Sequence, residues 1–324
     1  MSSLRWGFLS AGWIATEVAK DFQIAGMTIQ AVGARDLSKA DAFADTFNIP
    51  NRHEGYESLV SDPEVDVIYV STLHPFHHQH AMLALSAGKH VLLEKPFTIN
   101  AAEAEEIKEL ATAKKLFVLE AMWTRFLPSM HAVFEVINSG ALGDIRLVLA
   151  DHSQYLPHIP RLNEIELGGG ALLDLGIYPV SFAMRILGKP DRLTARATLT
   201  DQKIDETTSL IFEYTHGAQA ILTACMSAAG PVSASVIGTK GRIEINTTFY
   251  AQTSFTVFDN SGKIIQKYNE TIEGNGRQYQ GLHLEECVAK GLLESPILTL
   301  AETVEIMHVM DAARAQIGIK YPTE

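Results

Sequence analysis

Up to about residue 140, short apolar runs rich in β-branched residues alternate with segments of helical period, and that alternation constrains this chain more than any other feature. Strand–helix–strand repeats of this kind bury their strands on both faces, which makes a parallel sheet wrapped by helices. The strands predicted are Trp6–Leu9, Ile29–Gly33, Val65–Val70, His90–Glu94 and Leu116–Glu120. Helices are predicted near Ile14–Phe22, Lys39–Phe47, His77–Ala87 and Ala101–Ala113, the last opened by Asn100 with Glu103 three residues on, in the manner of a capping box.

After Gly140 and Gly143 the pattern changes to alternating runs, "IRLVLADHS", "RLTARATLT", "TSLIFEY", "QAILTACMS", "SASVIGTKGRIEI" and "SFTVFDNSGKIIQKY". Turn signals Thr-His-Gly, Thr-Lys-Gly and Asn-Ser-Gly separate several of them, so the second half is a large, mostly antiparallel sheet with one open face. One helical segment, "GGGALLDLGIYPVSFAMRILG", interrupts it, and helices near Gln280–Glu294 and Leu300–Gly318 close the chain. The fold class is α/β: an N-terminal Rossmann-type dinucleotide-binding domain over residues 1–122, and an α+β domain over 123–324 for substrate binding and dimerisation. The C-terminal helices are allowed to pack back toward the first domain.

With 324 residues and 47% hydrophobic content the chain can bury a large core, and two domains fit that length better than one. A formal net charge of −12 argues against nucleic acid or an anionic membrane as partner and leaves small molecules. Cys225 and Cys287, without redox or metal-ligand spacing, read as reduced thiols of a cytoplasmic protein. No basic leader followed by an apolar run opens the chain, and no stretch of ~18 apolar residues able to span a bilayer is expected.

"WGFLSAGWIA" places Ser10, Gly12 and Ala15 at the spacing of G-x-G-x-x-G/A between the first strand and first helix. There a backbone approaches a pyrophosphate closely, and the amides that open the helix at Trp13 and Ile14 hold its charge. At the end of the second strand, "AVGARDLSK" offers Arg35, Asp36, Ser38 and Lys39. A carboxylate at that point binds the ribose hydroxyls of NAD, and an arginine accommodates the extra phosphate of NADP. Asp36 equally suits a helix cap, so NADP is favoured and NAD stays possible; the alternative reading of Arg35 is a solvated surface charge.

"STLHPFHHQH" carries His74, His77, His78 and His80, but no acidic or cysteine partner lies near them in sequence, and no metal site is expected. Thr72, His74 and His77 instead fit the nicotinamide crevice at the strand ends. In "LLEKPFTIN", Glu94 ends a strand and Pro96 follows Lys95, so all three are expected at the cofactor and the lysine faces the same crevice, where a cationic nicotinamide would lower its pKa. In the second half Asp174 and Tyr178 stand four apart on one helical face, after Gly168 to Gly170. A neighbouring ammonium, such as Lys95, would make that tyrosine a general acid/base.

Taken together, "AGKHVLLEKP", "EAMWTRFLP", "GALGDIR", "GGGALLDLGIYPV" and "GTKG" in this order resemble the Gfo/Idh/MocA oxidoreductases over nearly the whole chain, closest to the branch of dimeric dihydrodiol dehydrogenases and NADP-dependent D-xylose 1-dehydrogenases. The resemblance implies a dehydrogenase acting on CH–OH donors, moving a hydride between NADP and a sugar or cyclic diol carbon. It places the family's lysine on Lys95, its acid/base on Tyr178 and its substrate aspartate on Asp174. Trp123, Arg125 and Phe126 match the branch's W-T-R-F run, with Trp123 and Arg125 beside the cofactor and Trp123 and Phe126 in the pocket wall. Arg146 matches an arginine near the site. Ser10 is shared with the branch, whereas His152 departs from an aromatic apolar residue and suits a sugar better than an arene diol. The resemblance also implies a dimer through the second sheet, where apolar residues fall on both parities. Other chemistries on the same scaffold stay open, among them another sugar or polyol dehydrogenase, a redox-cycling glycosidase and a non-catalytic NADP(H)-binding regulator.

Overall fold

The computed structural model describes residues 4–322. Its contacts divide the chain into two compact units, Met1–Phe126 with Glu273–Val304, and Leu127–Ile272 with Glu305–Glu324. The break thus falls after Phe126 rather than after residue 122, and the segment Glu273–Val304 belongs with the first unit.

The first unit is built on strands β1 (Arg5–Leu9), β2 (Thr28–Ala34), β3 (Asn51–Glu54), β4 (Val67–Val70), β5 (His90–Leu93) and β6 (Val118–Glu120), in the order β3-β2-β1-β4-β5-β6. Every neighbouring pair is parallel. That order reverses direction between β1 and β4, which opens a crevice at the carboxyl ends of those strands. β4 is buried throughout and β5 in all but its first residue, which explains their unbroken apolar sequences. Helices α1 (Trp13–Ile24), α2 (Leu37–Phe47), α3 (Tyr56–Val60), α4 (His77–Ser86) and α5 (Ala101–Lys114) connect the strands. Phe8 of β1 packs edge-on against Tyr69 of β4, ring centroids 5.0 Å apart, and Trp6 against Phe22 of α1 at 4.9 Å, so aromatic contacts seat α1 on the sheet. Asn100 accepts the Glu103 amide at 2.9 Å while Glu103 accepts the Ile99 amide at 3.1 Å, the reciprocal start expected for α5.

The second unit begins with α6 (Pro128–Asn138) and carries β7 (Ile145–Ser153), α7 (Ile177–Leu187), β8 (Arg192–Leu199), β9 (Asp205–Glu213), β10 (Gln219–Cys225), β11 (Ala234–Gly238), β12 (Gly241–Ile245), β13 (Phe255–Asp259) and β14 (Ile264–Tyr268). The strand order is β14-β13-β12-β11-β7-β10-β9-β8, antiparallel except for the parallel pair β7–β10. The three expected turns join β9 to β10, β11 to β12 and β13 to β14. α7 covers one face, over Val148, Ala150, Leu222 and Ala224. On the other, Ile211 and Ile221 face each other across β9 and β10 and remain 41% and 42% exposed.

α8 (Gln278–Ala289) and α9 (Leu300–Ile317) end the chain, with the first residues of α9 counted in the first unit and the rest in the second. One expectation is corrected: Ile165–Leu187 is long and apolar enough to cross a bilayer by length and composition. Its most apolar window is 83% buried inside the protein, so those residues serve as core.

Candidate active site

In the first unit the loop after β1 has the form the dinucleotide reading requires. Ser10 takes φ +99° and donates its amide to the Gly33 carbonyl at 2.9 Å, turning the chain sharply off the strand. Gly12 is the N-cap of α1; the helix has no side-chain cap and no acidic residue in its first turn. The amides of Trp13 and Ile14 therefore open an uncapped, positive helix end, and a Cβ on Gly12 would meet nothing nearer than the Ser10 hydroxyl at 3.7 Å. A pyrophosphate fits this combination of open space and free amides.

At the end of β2 the two candidate ligands part. The Asp36 carboxylate accepts the Ser38 amide at 3.0 Å and its hydroxyl at 2.7 Å, capping α2, and these bonds hold its pKa below the usual carboxylate range. Arg35 and Lys39 are exposed. The ring of Tyr56, next to Arg35, packs edge-on to His80 at 4.7 Å, and the His80 Nδ1 lies 3.0 Å from the Thr72 hydroxyl.

The Lys95 loop is held at three points. The Tyr69 hydroxyl donates to Glu94 at 2.6 Å; His77 Nδ1 lies 2.8 Å from the Pro96 carbonyl; and the Phe97 amide donates to Glu120 at 3.2 Å. The Lys95–Pro96 bond is cis. Lys95 itself is half-buried at the carboxyl end of β5. The carboxyl of Glu94 is pushed up by burial, and that of Glu120 is pushed up to about 7 by the same cause.

Several residues expected at the cofactor make contacts within the protein. Glu94 spends its carboxylate on Tyr69 and on the Lys95 amide at 3.3 Å. His77 is fully buried, with its second ring nitrogen 3.0 Å from the Thr72 carbonyl, and burial lowers its pKa to about 4. Held between two carbonyls, of which its neutral form can donate to only one, the ring acts as a brace. His74 is likewise buried, its ring edge-on to His77 at 5.6 Å. Arg125 is 2% exposed and donates to Glu302 at 2.8 Å, so its guanidinium is engaged within the unit. Trp123 lies under the Arg277 guanidinium at 4.8 Å, and Phe126 packs on His283 at 4.9 Å. Among the described residues no three His, Cys, Asp or Glu side chains converge in a way that could hold a metal.

In the second unit Asp174 and Tyr178 share one helical segment, and Tyr178 meets His152. The helix that carries them opens with a π turn, Leu172–Gly176, before continuing as α7, and Asp174 lies within that turn. Such turns admit one extra residue and rotate the helix beyond them, and they recur at functional sites. Asp174 is 5% exposed and takes a forked pair from Arg161, whose Nη1 and Nη2 stand 3.1 and 3.2 Å from Oδ1. Arg161 comes from a short 3₁₀ turn, Pro160–Asn163, whose backbone the glycines approach closely: Gly170 donates to the Leu162 carbonyl at 3.1 Å.

Tyr178 is 7% exposed, its ring 5.1 Å from His152 and 4.8 Å from Tyr250, while His152 stacks on Tyr250 at 4.3 Å. His152 Nδ1 lies 3.0 Å from the Leu175 carbonyl of the π turn, and the Gln154 amide nitrogen lies 3.1 Å from His152 Nε2 and 2.6 Å from the Tyr250 hydroxyl. The result is a half-aromatic, half-polar wall around one phenol, suited to a substrate with several hydroxyls.

Arg146 does not join this group. It shares a parity with His152 on β7 but starts the strand that His152 nearly ends, and at about 3.3 Å per residue the two backbones are roughly 20 Å apart. Its exposed guanidinium bonds Asp144 at 3.2 Å and the His216 carbonyl at 3.3 Å. Arg161, Gln154 and Tyr250 were not expected; each arrives from a stretch without motif or period, and Arg161, thirteen residues before Asp174, had no sequence signal at all.

A dinucleotide loop on a parallel sheet, joined in one chain to a helix bearing a buried tyrosine and carboxylate, defines a nicotinamide-dependent oxidoreductase. Family comparison agrees: residues 4–121 match the oxidoreductase family, NAD-binding Rossmann fold, and residues 130–244 match the GFO/IDH/MocA C-terminal domain. The chain belongs to the Gfo/Idh/MocA oxidoreductases. It is 38% identical over 331 residues to trans-1,2-dihydrobenzene-1,2-diol dehydrogenase of Mus musculus, covering 99% of both chains, and 35% identical to that of Homo sapiens, again over 99% of each. The fold is shared with aldose-aldose oxidoreductase from Caulobacter crescentus, at TM-score 0.87, 23% identity and 97% of both chains. It is shared equally with a 3-ketoreductase from Actinomadura kijaniata in complex with NADP and TDP-benzene, at TM-score 0.85, 24% identity and 98% of both.

Proposed function

We propose that this dehydrogenase oxidises a hydroxyl-bearing carbon of an aldose or a cyclic trans-dihydrodiol with NADP+, and that Tyr178 is its acid/base. The observation that carries the reading is the setting of Tyr178, a nearly buried phenol on the same helix as Asp174, walled by His152, Gln154 and Tyr250. In the forward direction Tyr178 acts as phenolate and takes the hydroxyl proton, Asp174 accepts from a neighbouring hydroxyl, and Lys95 supplies the ammonium that favours the phenolate. When bound, an oxidised nicotinamide would supply the hydride acceptor. The relatives act, by their names, on a dihydrodiol and on aldoses. The Arg161–Asp174 pair and the His152–Gln154 bond give the wall enough polar groups to favour the sugar. Initial rates with aldoses, polyols and trans-dihydrodiols, run with NADP+ and NAD+ in parallel, test this. Reduction of NADP+ by an aldose or dihydrodiol is the expected outcome, and failure of every such substrate counts against it.

For the cofactor, Asp36 is committed to capping α2 while Arg35 stays exposed, which supports NADP over NAD. Arg35→Ala should raise the Kd for NADPH about tenfold or more and leave that for NADH within about twofold, the scale of one charge-assisted contact to a phosphate. Equal effects on both cofactors would remove Arg35 from phosphate recognition.

The open face of the second sheet, with Leu147, Leu149, Ile211, Ile221 and Ile237, is read as the seat of a second copy of the chain. Sedimentation at micromolar concentration should give twice the 35.5 kDa chain mass. A stable monomer contradicts it.

A further inference from the structure

We propose that Asp205 is a positioning residue for the reaction, fixing where the helix bearing Asp174 and Tyr178 starts and hence how its π turn presents them. This role rests on the proposed functions of Tyr178 and Asp174.

Asp205 begins β9 and has no exposed surface. Its Oδ2 accepts the Leu172 amide at 2.6 Å and the Thr208 hydroxyl at 2.7 Å. Leu172 is the first residue of the π turn, and no side-chain cap is supplied at Ala171. The three residues before Ala171 are glycines, so the local sequence offers no capping side chain, and the cap comes from another strand. The fit is close: Gly170 takes φ +110°, and a Cβ there would collide with Asp205 Oδ1. Ile204, beside Asp205, packs into one apolar cluster with Ala171, Leu175 and Leu162, which keeps the strand end pressed on the helix start.

A cap needed only for stability would be cheaper nearer the surface. Asp205 is instead wholly buried, and burial pushes its carboxyl up to about 6. Burying a carboxyl costs stability. What it secures is geometry: the Leu172 amide sits two residues before Asp174, and the His152 imidazole is bonded to the Leu175 carbonyl in the same turn. Shifting the first bond of a π turn shifts the phase of both functional side chains.

The experiment compares Asp205→Ala, Asp205→Glu and Asp205→Asn with Tyr178→Phe and with Val257→Ala, a core truncation in β13. All are assayed well below their melting temperatures for kcat, KM, the pH profile of kcat and NADPH affinity. Asp205→Ala and Asp205→Glu should lower kcat at least about tenfold and move the pH profile, with NADPH affinity kept, as misplaced catalytic groups do. Asp205→Asn, which keeps an oxygen acceptor at the same place, should stay within about threefold of the parent. Val257→Ala should lose thermal stability without losing kcat. If Asp205→Ala does not fold, Asp205→Glu carries the same test. Parent-like kcat in Asp205→Ala or Asp205→Glu, or equal losses in Asp205→Asn and Asp205→Ala, overturns the proposal. Parent-like kcat in Tyr178→Phe instead overturns the reading of the helix as catalytic, so the two failures are told apart.

Discussion

Tyr178→Phe should lower kcat by at least about 100-fold, the usual scale of general acid/base catalysis, and should leave the fold and the affinity for NADPH unchanged. Phenylalanine keeps the ring that packs against His152 and Tyr250, so the aromatic wall persists and only the ionisable oxygen is removed. Cofactor binding is expected to survive because the residues read as its ligands, from Ser10 to Lys39, lie in the first unit. A variant that turns over normally would remove Tyr178 from the chemistry, whereas a loss confined to KM would make it a binding residue only.

Lys95→Met should cost a similar factor in kcat, about 100-fold or more, while circular dichroism and melting temperature stay close to the parent. Methionine matches the aliphatic length of lysine, and the anchors of the loop are made by other groups: Glu94 on Tyr69, His77 on the Pro96 carbonyl and Glu120 on the Phe97 amide. The pH profile separates the roles further. If the ammonium favours the phenolate, its loss moves the ascending limb of kcat to higher pH, because an unassisted tyrosine ionises nearer its ordinary value of about 10. An unchanged profile with unchanged kcat would reduce Lys95 to a residue of the strand exit.

Regular structure was the most legible part of the chain. "IRLVLADHS" is β7 residue for residue, because strict alternation reflects one buried and one open face. β3, with the sequence NRHE at the sheet edge, was missed because it carries no apolar signal, and α3 and α6 were missed beside it despite the proline that opens α6.

Local backbone form was legible where a motif fixed it: the turn at Ser10, the start of α1 at Gly12 and the place of Lys95 just after β5 follow from the sequence. The place of His77 and Glu94 near strand ends and of Arg125 in the W-T-R-F run suggests cofactor contacts, but each is buried and engaged by the protein, His77 by carbonyls, Glu94 by the Tyr69 hydroxyl and Arg125 by Glu302. Arg146 had the correct face of β7 and the wrong end of it. Contacts such as Arg161 to Asp174 or Asp205 to Leu172 join segments that sequence spacing does not relate, so only the fold reveals them.

The most direct test of hydride transfer tracks an isotope. D-Xylose bearing deuterium at C1, or a trans-dihydrodiol deuterated at its carbinol carbons, is oxidised with NADP+ and the reduced cofactor is examined by mass spectrometry and NMR. One deuterium at C4 of the nicotinamide, delivered to a single face, is the predicted result. Oxidised product accompanied by unlabelled NADPH, or by deuterium released to water, would contradict it.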